Sequence, residues 1–167
     1  MNKMIMKVLA RTVSLVVLVS AVVLMSNCGG DDPEKSAQEI QLGKLSKTWN
    51  IVSASLGGAN RTGDFTNFKL TITGTFNSNA PNGPYNFSVS GARPTPSPWP
   101  ANGTWSFVNI GTGDSGSLVR NDGVPMVYTI NSSGQLTISD LICTSCDYAG
   151  AAGRTEAVNG NWTFVFN

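Results

Sequence analysis

The sequence predicts an all-β domain, a single antiparallel β-barrel of about eight short strands. From Trp49 onwards, apolar and polar residues alternate over short stretches, so each stretch has one apolar and one polar face, as strands do. Clusters of Gly, Asn, Asp and Pro separate the stretches and favour tight turns, which join antiparallel neighbours. Closure into a barrel removes exposed sheet edges. A two-sheet β-sandwich is the alternative.

The N-terminus is typical of an export signal. Lys3, Lys7 and Arg11 precede or begin an apolar run of about 14 residues, and a polar break containing Cys28 follows it. A helix needs roughly 20 apolar residues to span a bilayer. We therefore predict a removable signal peptide over residues 1–27 rather than a permanent membrane helix.

The end of this signal resembles the lipobox of bacterial lipoproteins, with the sequence Leu-Met-Ser-Asn-Cys at 24–28. In that family the cysteine thiol receives a diacylglycerol and becomes the first residue of the mature protein. The resemblance implies lipidation of Cys28, and acyl chains such as palmitate, at about 0.8 kcal/mol per buried CH2, would anchor the chain to a membrane. The alternative is an ordinary cleaved signal with an incidental cysteine.

The acidic stretch 29–34 resembles the tether of surface lipoproteins of the Bacteroidetes type. In that group, acidic residues at this place accompany export to the outer face of the outer membrane. We expect an outer-membrane, surface-exposed protein, with periplasmic-facing display as the alternative. Residues 28–43 are predicted to be a flexible tether containing one helical turn, and 44–167 to form the barrel.

The strands are predicted in order from their apolar faces. The first surrounds Trp49 and Ile51. The others are indicated by the following sets: Phe68, Leu70 and Ile72; Tyr85, Phe87 and Val89; Trp105 and Phe107; Met126, Tyr128 and Ile130; Leu136 and Ile138; Trp162, Phe164 and Phe166. Turns are predicted at 57–58, 79–83, 111–116, 121–123 and 131–134. A barrel of this size either holds one small ligand or is filled by its own side chains.

Charge composition limits the classes of partner that the protein is expected to bind. Three of the eleven basic residues lie before Cys28 and all ten acidic residues follow it, so the mature chain has a net charge of −2. No basic patch remains, which argues against a nucleic-acid partner. The strands are too short for a transmembrane barrel. The oligomeric state is left open.

The cysteines and the absence of histidine limit the chemistry. Cys143 and Cys146 are predicted to form a structural disulfide, because an exported chain meets oxidising conditions. The CxxC spacing also occurs in redox motifs and zinc half-sites. With no histidine, the chain has no catalytic triad, no Cys-His dyad and no His-ligated metal site, so no metal or cofactor is predicted.

The acidic residues do not predict an enzyme. A carboxylate pair could hydrolyse glycosides, but no spacing forces two acids together. The candidates are Asp64, Asp114, Asp122, Asp140, Asp147 and Glu156. The fragment Gly113 to Gly116 looks like the serine loop of chymotrypsin-like proteases but has no general base, so it is interpreted as a hairpin turn.

The segment 45–52, centred on Trp49, resembles the opening strand of bacterial lipocalin-like proteins. The Pro-rich segment 93–100, the strand around Trp105 and the closing segment 160–166 are similar to uncharacterised surface lipoproteins of this class. The resemblance implies a lipocalin-like barrel binding a small hydrophobic ligand, with contacts from Trp99, Trp105, Tyr128 and Tyr85. The alternative is a surface interaction or glycan-binding lipoprotein with a filled barrel. Trp99 could cap the mouth, stack on a sugar or pin a crossing loop, whereas Trp49 and Trp162 are predicted to be core.

Overall fold

The structure is a computed structural model that describes residues 34–111, 113–144, 146, 148 and 158–167. The predicted signal peptide, the lipidation site Cys28 and the acids Asp147 and Glu156 lie outside the described residues. Residues 35–167 form one compact unit.

The described chain contains one α-helix, a short 3-10 helix and nine strands. Helix α1 spans Ala37–Leu45, and the 3-10 helix spans Thr62–Phe65. The strands are β1 (Thr48–Leu56), β2 (Ala59–Asn60), β3 (Lys69–Thr73), β4 (Tyr85–Ser90), β5 (Asn102–Ile110), β6 (Ser115–Arg120), β7 (Pro125–Ile130), β8 (Leu136–Cys143) and β9 (Gly160–Phe166).

Eight of these strands close into an antiparallel barrel. From β3 to β9 each strand pairs with the next one along the chain, while β1 pairs with both β3 and β9 and so closes the sheet. The two-residue β2 only extends the end of β1. The predicted barrel is confirmed, and the sandwich alternative is wrong because β1 and β9 are directly hydrogen-bonded.

Three bulges bend the wall. They interrupt the pairing near Val52, Val108 and Asp140, and Asp140 has a φ of 51°. A bulge adds local twist and curvature, which a short sheet needs in order to close on itself. Asp140, one of the candidate acids, occupies such a bulge in β8.

The barrel has two different ends, which we name by what covers them. The helix end contains α1 and the β3–β4, β5–β6 and β7–β8 hairpins. The loop end contains the 3-10 helix, the Pro-rich loop 91–101, the turn 121–124 and, of the chain between β8 and β9, the described residues 144, 146, 148, 158 and 159. The antiparallel register assigns each connection to its end.

Helix α1 closes the helix end and belongs to the domain. Ser36 caps its N-terminus by accepting a hydrogen bond from the Glu39 amide. Leu42 and Leu45 are buried against the barrel, and the Trp49 indole donates to the Leu45 carbonyl at 2.9 Å. The domain therefore starts earlier than the predicted boundary at residue 43, because two leucines hidden in a polar stretch pack on the core.

The barrel interior is filled mainly by aromatic rings. All four tryptophans are at most 2% exposed. Phe65, from the 3-10 helix, packs edge-to-face on Phe68, Trp162 and Phe164 with ring centroids 5.1–5.6 Å apart. Such rings bury large apolar areas and interlock by geometry. The predicted core roles of Trp49 and Trp162 are confirmed, since both are fully buried.

Candidate functional site

Because α1 closes the helix end of the barrel, a ligand would enter through the loop end. The Pro-rich loop crosses the barrel at this loop end. Trp99, which comes from this loop rather than from a strand, is 1% exposed. Its ring lies 5.9 Å from the Phe87 ring and 5.6 Å from the Phe164 ring, with both contacts edge-to-face. Trp99 therefore pins the crossing loop into the barrel and presents no surface on which a sugar could stack.

A buried arginine holds this loop. Arg120, at the end of β6, has a fully buried side chain, and its guanidinium donates to the Pro98 carbonyl at 2.8 Å. The same group lies 5.3 Å above the Trp99 ring. Arg120 shares an inward face with Leu118, two residues earlier, because strand residues alternate sides.

Asp122 is the counter-ion of Arg120. Its carboxylate accepts hydrogen bonds from both Nε and Nη2 of Arg120, the first at 3.1 Å, and from the Tyr148 hydroxyl. Burial favours the neutral acid, but the hydrogen bonds from Arg120 and Tyr148 and the charge of Arg120 outweigh it and lower the pKa of Asp122. Burial, together with the bond to Asp122, raises the pKa of Tyr148. We call Arg120, Asp122, Tyr148 and the Pro98 carbonyl the mouth network.

A disulfide stands beside this network. Cys143 and Cys146 are bonded, as predicted, and both are buried. Tyr148 follows two residues later and forms an isolated antiparallel bridge with Ser97 of the Pro-rich loop. Buried cysteines at the end of a strand fit a structural crosslink rather than an accessible redox pair.

The space left below Trp99 is small. An apolar cavity of about 10 Å³ lies between Trp99 and the wall. Its lining consists of Leu70, Ile72, Phe87, Trp99, Trp105, Leu118, Met126 and Ile138. This is about the volume of one water-sized probe, whereas small-molecule sites measure roughly 300–1,000 Å³. In this closed arrangement the cavity is too small for a hydrophobic ligand of ordinary size.

The four predicted ligand-contact residues are brought together only in part, and the rings of Tyr85 and Trp105 lie 5.1 Å apart. Trp99 and Trp105 both line the small cavity. Tyr85 donates its hydroxyl hydrogen to the Pro81 carbonyl at 2.8 Å, and Tyr128 donates to the Gln41 side chain of α1 at 3.1 Å. Burial, with the nearby charge of Asp114, raises the pKa of Tyr128 to about 12. Both tyrosine hydroxyls therefore hold parts of the helix end in place, Tyr85 the β3–β4 hairpin and Tyr128 helix α1.

Each candidate acid within the described residues is held by its own partner. Asp64 pairs with Arg61 and Asp122 with Arg120 at the loop end, whereas Asp114 pairs with Lys44 at the helix end. Asp140 accepts a hydrogen bond from Asn161 at 3.2 Å. The described residues contain no group of three or more acidic or cysteine side chains that could hold a metal ion.

The mouth network is the feature that the sequence analysis missed. Arg120 ends a strand whose preceding residues are mostly Ser and Gly, so the segment resembled a loop. The available signal was the i, i+2 spacing of Leu118 and Arg120, which puts a charge on the inward face. An inward arginine needs a partner, and Asp122 lies two residues further along the chain.

Compared with protein-family models, curated proteins and solved structures, the chain has no match. The resemblance to lipocalin-like surface lipoproteins therefore stays a prediction. Of the described residues, no helix is long and apolar enough to cross a bilayer.

Proposed function

We propose that this protein is a lipid-anchored cell-envelope β-barrel of the outer membrane, displayed at the surface, that acts through its outer surface rather than by carrying a ligand inside. One observation supports this proposal above the others: among the described residues, the side chains beneath Trp99 pack so closely that the apolar cavity there measures about 10 Å³. A barrel of this size with a packed core is a rigid scaffold for surface loops.

Binding of a small hydrophobic ligand is the second candidate, and a specific observation favours it. Trp99 enters the barrel from a loop, and within the described residues its indole nitrogen is buried without a hydrogen-bond partner. A buried Trp N–H usually finds a partner. If the Trp99 side chain moved out of the mouth, the volume that it occupies would be added to the apolar cavity beneath it. This candidate requires the mouth network to open.

Native mass spectrometry of the mature protein, extracted from its own host's membranes in mild detergent, separates the two candidates. We expect the acylated chain with no further molecule attached. The matched variant Trp99→Ala, which removes the ring above the cavity, is expected to bind added indole and so proves that the assay can detect a small apolar ligand. A small molecule retained in stoichiometric amount by the native chain would overturn the proposed function.

The anchor has its own test. We expect Cys28→Ser to move the protein from the membrane fraction to the soluble fraction, because removal of the acyl chains leaves no comparable membrane attachment. Cell fractionation with immunoblotting measures this directly, and Ser26→Ala is a control that keeps the thiol. Membrane retention of Cys28→Ser at the native level would exclude the lipid anchor.

A further inference from the structure

Two exposed apolar side chains lie at the helix end of the barrel. Val108, in the bulge of β5, is 64% exposed, and Ile40, on α1, is 43% exposed. Val108 lies two residues before the helix-end terminus of β5, and α1 packs against β5. By contrast, the exposed Ile142 lies near the loop end, opposite Asn161.

Helix α1 turns one face towards the barrel and one face outwards. Gln41, Leu42 and Leu45 are buried. The exposed residues Ala37, Ile40 and Lys44 follow the three- and four-residue spacing of a single helix face. Ile40 therefore points away from the barrel, at the centre of a weakly polar stripe.

Four of the charges at this end form two local ion pairs, while Lys47, just before β1, is exposed. Lys44 forms an ion pair with Asp114 of the β5–β6 hairpin, and Lys35 lies 3.9 Å from Glu39 one helical turn further along the chain. Each pair cancels its own charge, so these four residues add no net repulsion towards an anionic surface. Apolar contact, rather than a basic patch, would govern how this end meets a membrane.

Chain connectivity brings the anchor to this same end. The stretch from Cys28 to Ala37 reaches at most about 30 Å when fully extended. It enters the domain at α1, which lies across the helix end. A lipid on Cys28 would thus hold the helix end within a short distance of the bilayer, while the loop end could lie further away.

We propose that the helix end is a membrane-contact surface, with Ile40 and Val108 seated among phospholipid headgroups, and that it orients the anchored domain with the mouth network facing away from the bilayer. This inference rests on the lipid anchor of the proposed function. It adds a partner, the phospholipid surface itself, and a direction of display for the loop end.

The test uses the acylated, isotope-labelled protein in nanodiscs of phosphatidylethanolamine and phosphatidylglycerol that contain a nitroxide-labelled headgroup lipid. We expect the amide signals of α1 and Val108 to be broadened about twofold or more relative to those of Ile142, because interfacial side chains lie at the headgroup level. The double variant Ile40→Asp, Val108→Asp keeps the tether but loses the apolar contact, so it should reduce this difference by half or more. The control Ile142→Asp should leave it intact.

Equal broadening at both ends, or stronger broadening at the loop end, would overturn the orientation. The proposal would also be overturned if crosslinking between α1 helices showed that a second copy of the chain, rather than phospholipid headgroups, covers Ile40. Failure of the anchor itself is distinguishable from both, because the mass of the mature chain would then lack the diacylglycerol before any nanodisc is made.

Discussion

Asp122→Ala is expected to destabilise the domain by about 3 kcal/mol, the lower end of what removal of one partner from a buried ion pair costs. The guanidinium of Arg120 is fully buried, whereas the Asp122 side chain is 19% exposed. Among the described residues, the variant leaves a buried cation held by the Pro98 carbonyl and two aromatic rings but by no carboxylate. Urea unfolding followed by tryptophan fluorescence measures the loss.

The matched control is Asp114→Ala. This variant breaks the Lys44–Asp114 pair, whose side chains are 41% and 42% exposed. Exposed pairs contribute about 0–1 kcal/mol, so the control should unfold almost like the native protein. Similar losses in the two variants would contradict the structural role assigned to Arg120. The double variant Arg120→Met, Asp122→Ala should recover part of the stability, since it removes the orphaned charge.

The same pair predicts acid sensitivity. The pKa of Asp122 is lowered in the folded state, so its contribution to stability is full above the unfolded value of about 4 and is lost as the pH falls through the folded value. Below pH 4 the melting temperature of the native domain should therefore fall more steeply than that of Asp122→Asn. Parallel curves for the two proteins would exclude Asp122 as a source of acid sensitivity.

Alternation identified the strands whose inward side chains are large. Every apolar set taken from the sequence lies in or directly beside a strand of the barrel, because a strand with one buried face must place an apolar residue at every second position. The antiparallel order of neighbouring strands followed from the short hairpins. Alternation and hairpin length are local properties of the chain, which is why they could be predicted without coordinates. Closure depends on the pairing of β1 with β9 from opposite ends of the domain, so the sequence left the sandwich open.

Strand β6 could not be predicted in the same way. Its first two residues fall within the predicted turn 111–116, because Ser115 and Gly116 have no apolar side chain. The reason for this composition lies in the neighbouring strand: a Cβ on Gly116 would stand 2.8 Å from the Tyr128 ring, which is directly opposite. Glycine at this position makes room for a side chain twelve residues away in sequence. The need for that room depends on which strands pair, and a local sequence pattern does not show this.

The candidate site was predictable only in part. The sequence marked Trp99 as unusual because prolines flank it, and its three predicted roles, a mouth cap, a surface for sugar stacking and a buried pin, depend on what lies beneath the loop. That is decided by Phe68, Phe87 and Phe164, which come from three separate regions of the chain. The free space inside a barrel is what remains after the volumes of all inward side chains are subtracted, so no local pattern reveals whether any is left.

Trp162→Ala is expected to cost about 3–5 kcal/mol of unfolding free energy, the range for truncating a fully buried aromatic side chain. Trp162 is fully buried, stacks on Phe164 with ring centroids 5.4 Å apart and meets the Phe65 ring edge-to-face. Its indole donates to the Val158 carbonyl at 2.7 Å. Calorimetry of the mature domain measures the fall in melting temperature, and Val108→Ala on the outer wall should change it little.

Phenylalanine at the two tryptophan positions separates packing from hydrogen bonding. Trp162→Phe removes ring volume and also orphans the Val158 carbonyl, whereas Trp99→Phe removes similar volume from an indole whose nitrogen has no partner among the described residues. Trp162→Phe should therefore cost about 1 kcal/mol more than Trp99→Phe, the net value of one buried hydrogen bond. If Trp99→Phe proved the costlier, the contact of the Trp99 ring with the Arg120 guanidinium would outweigh the buried hydrogen bond of Trp162.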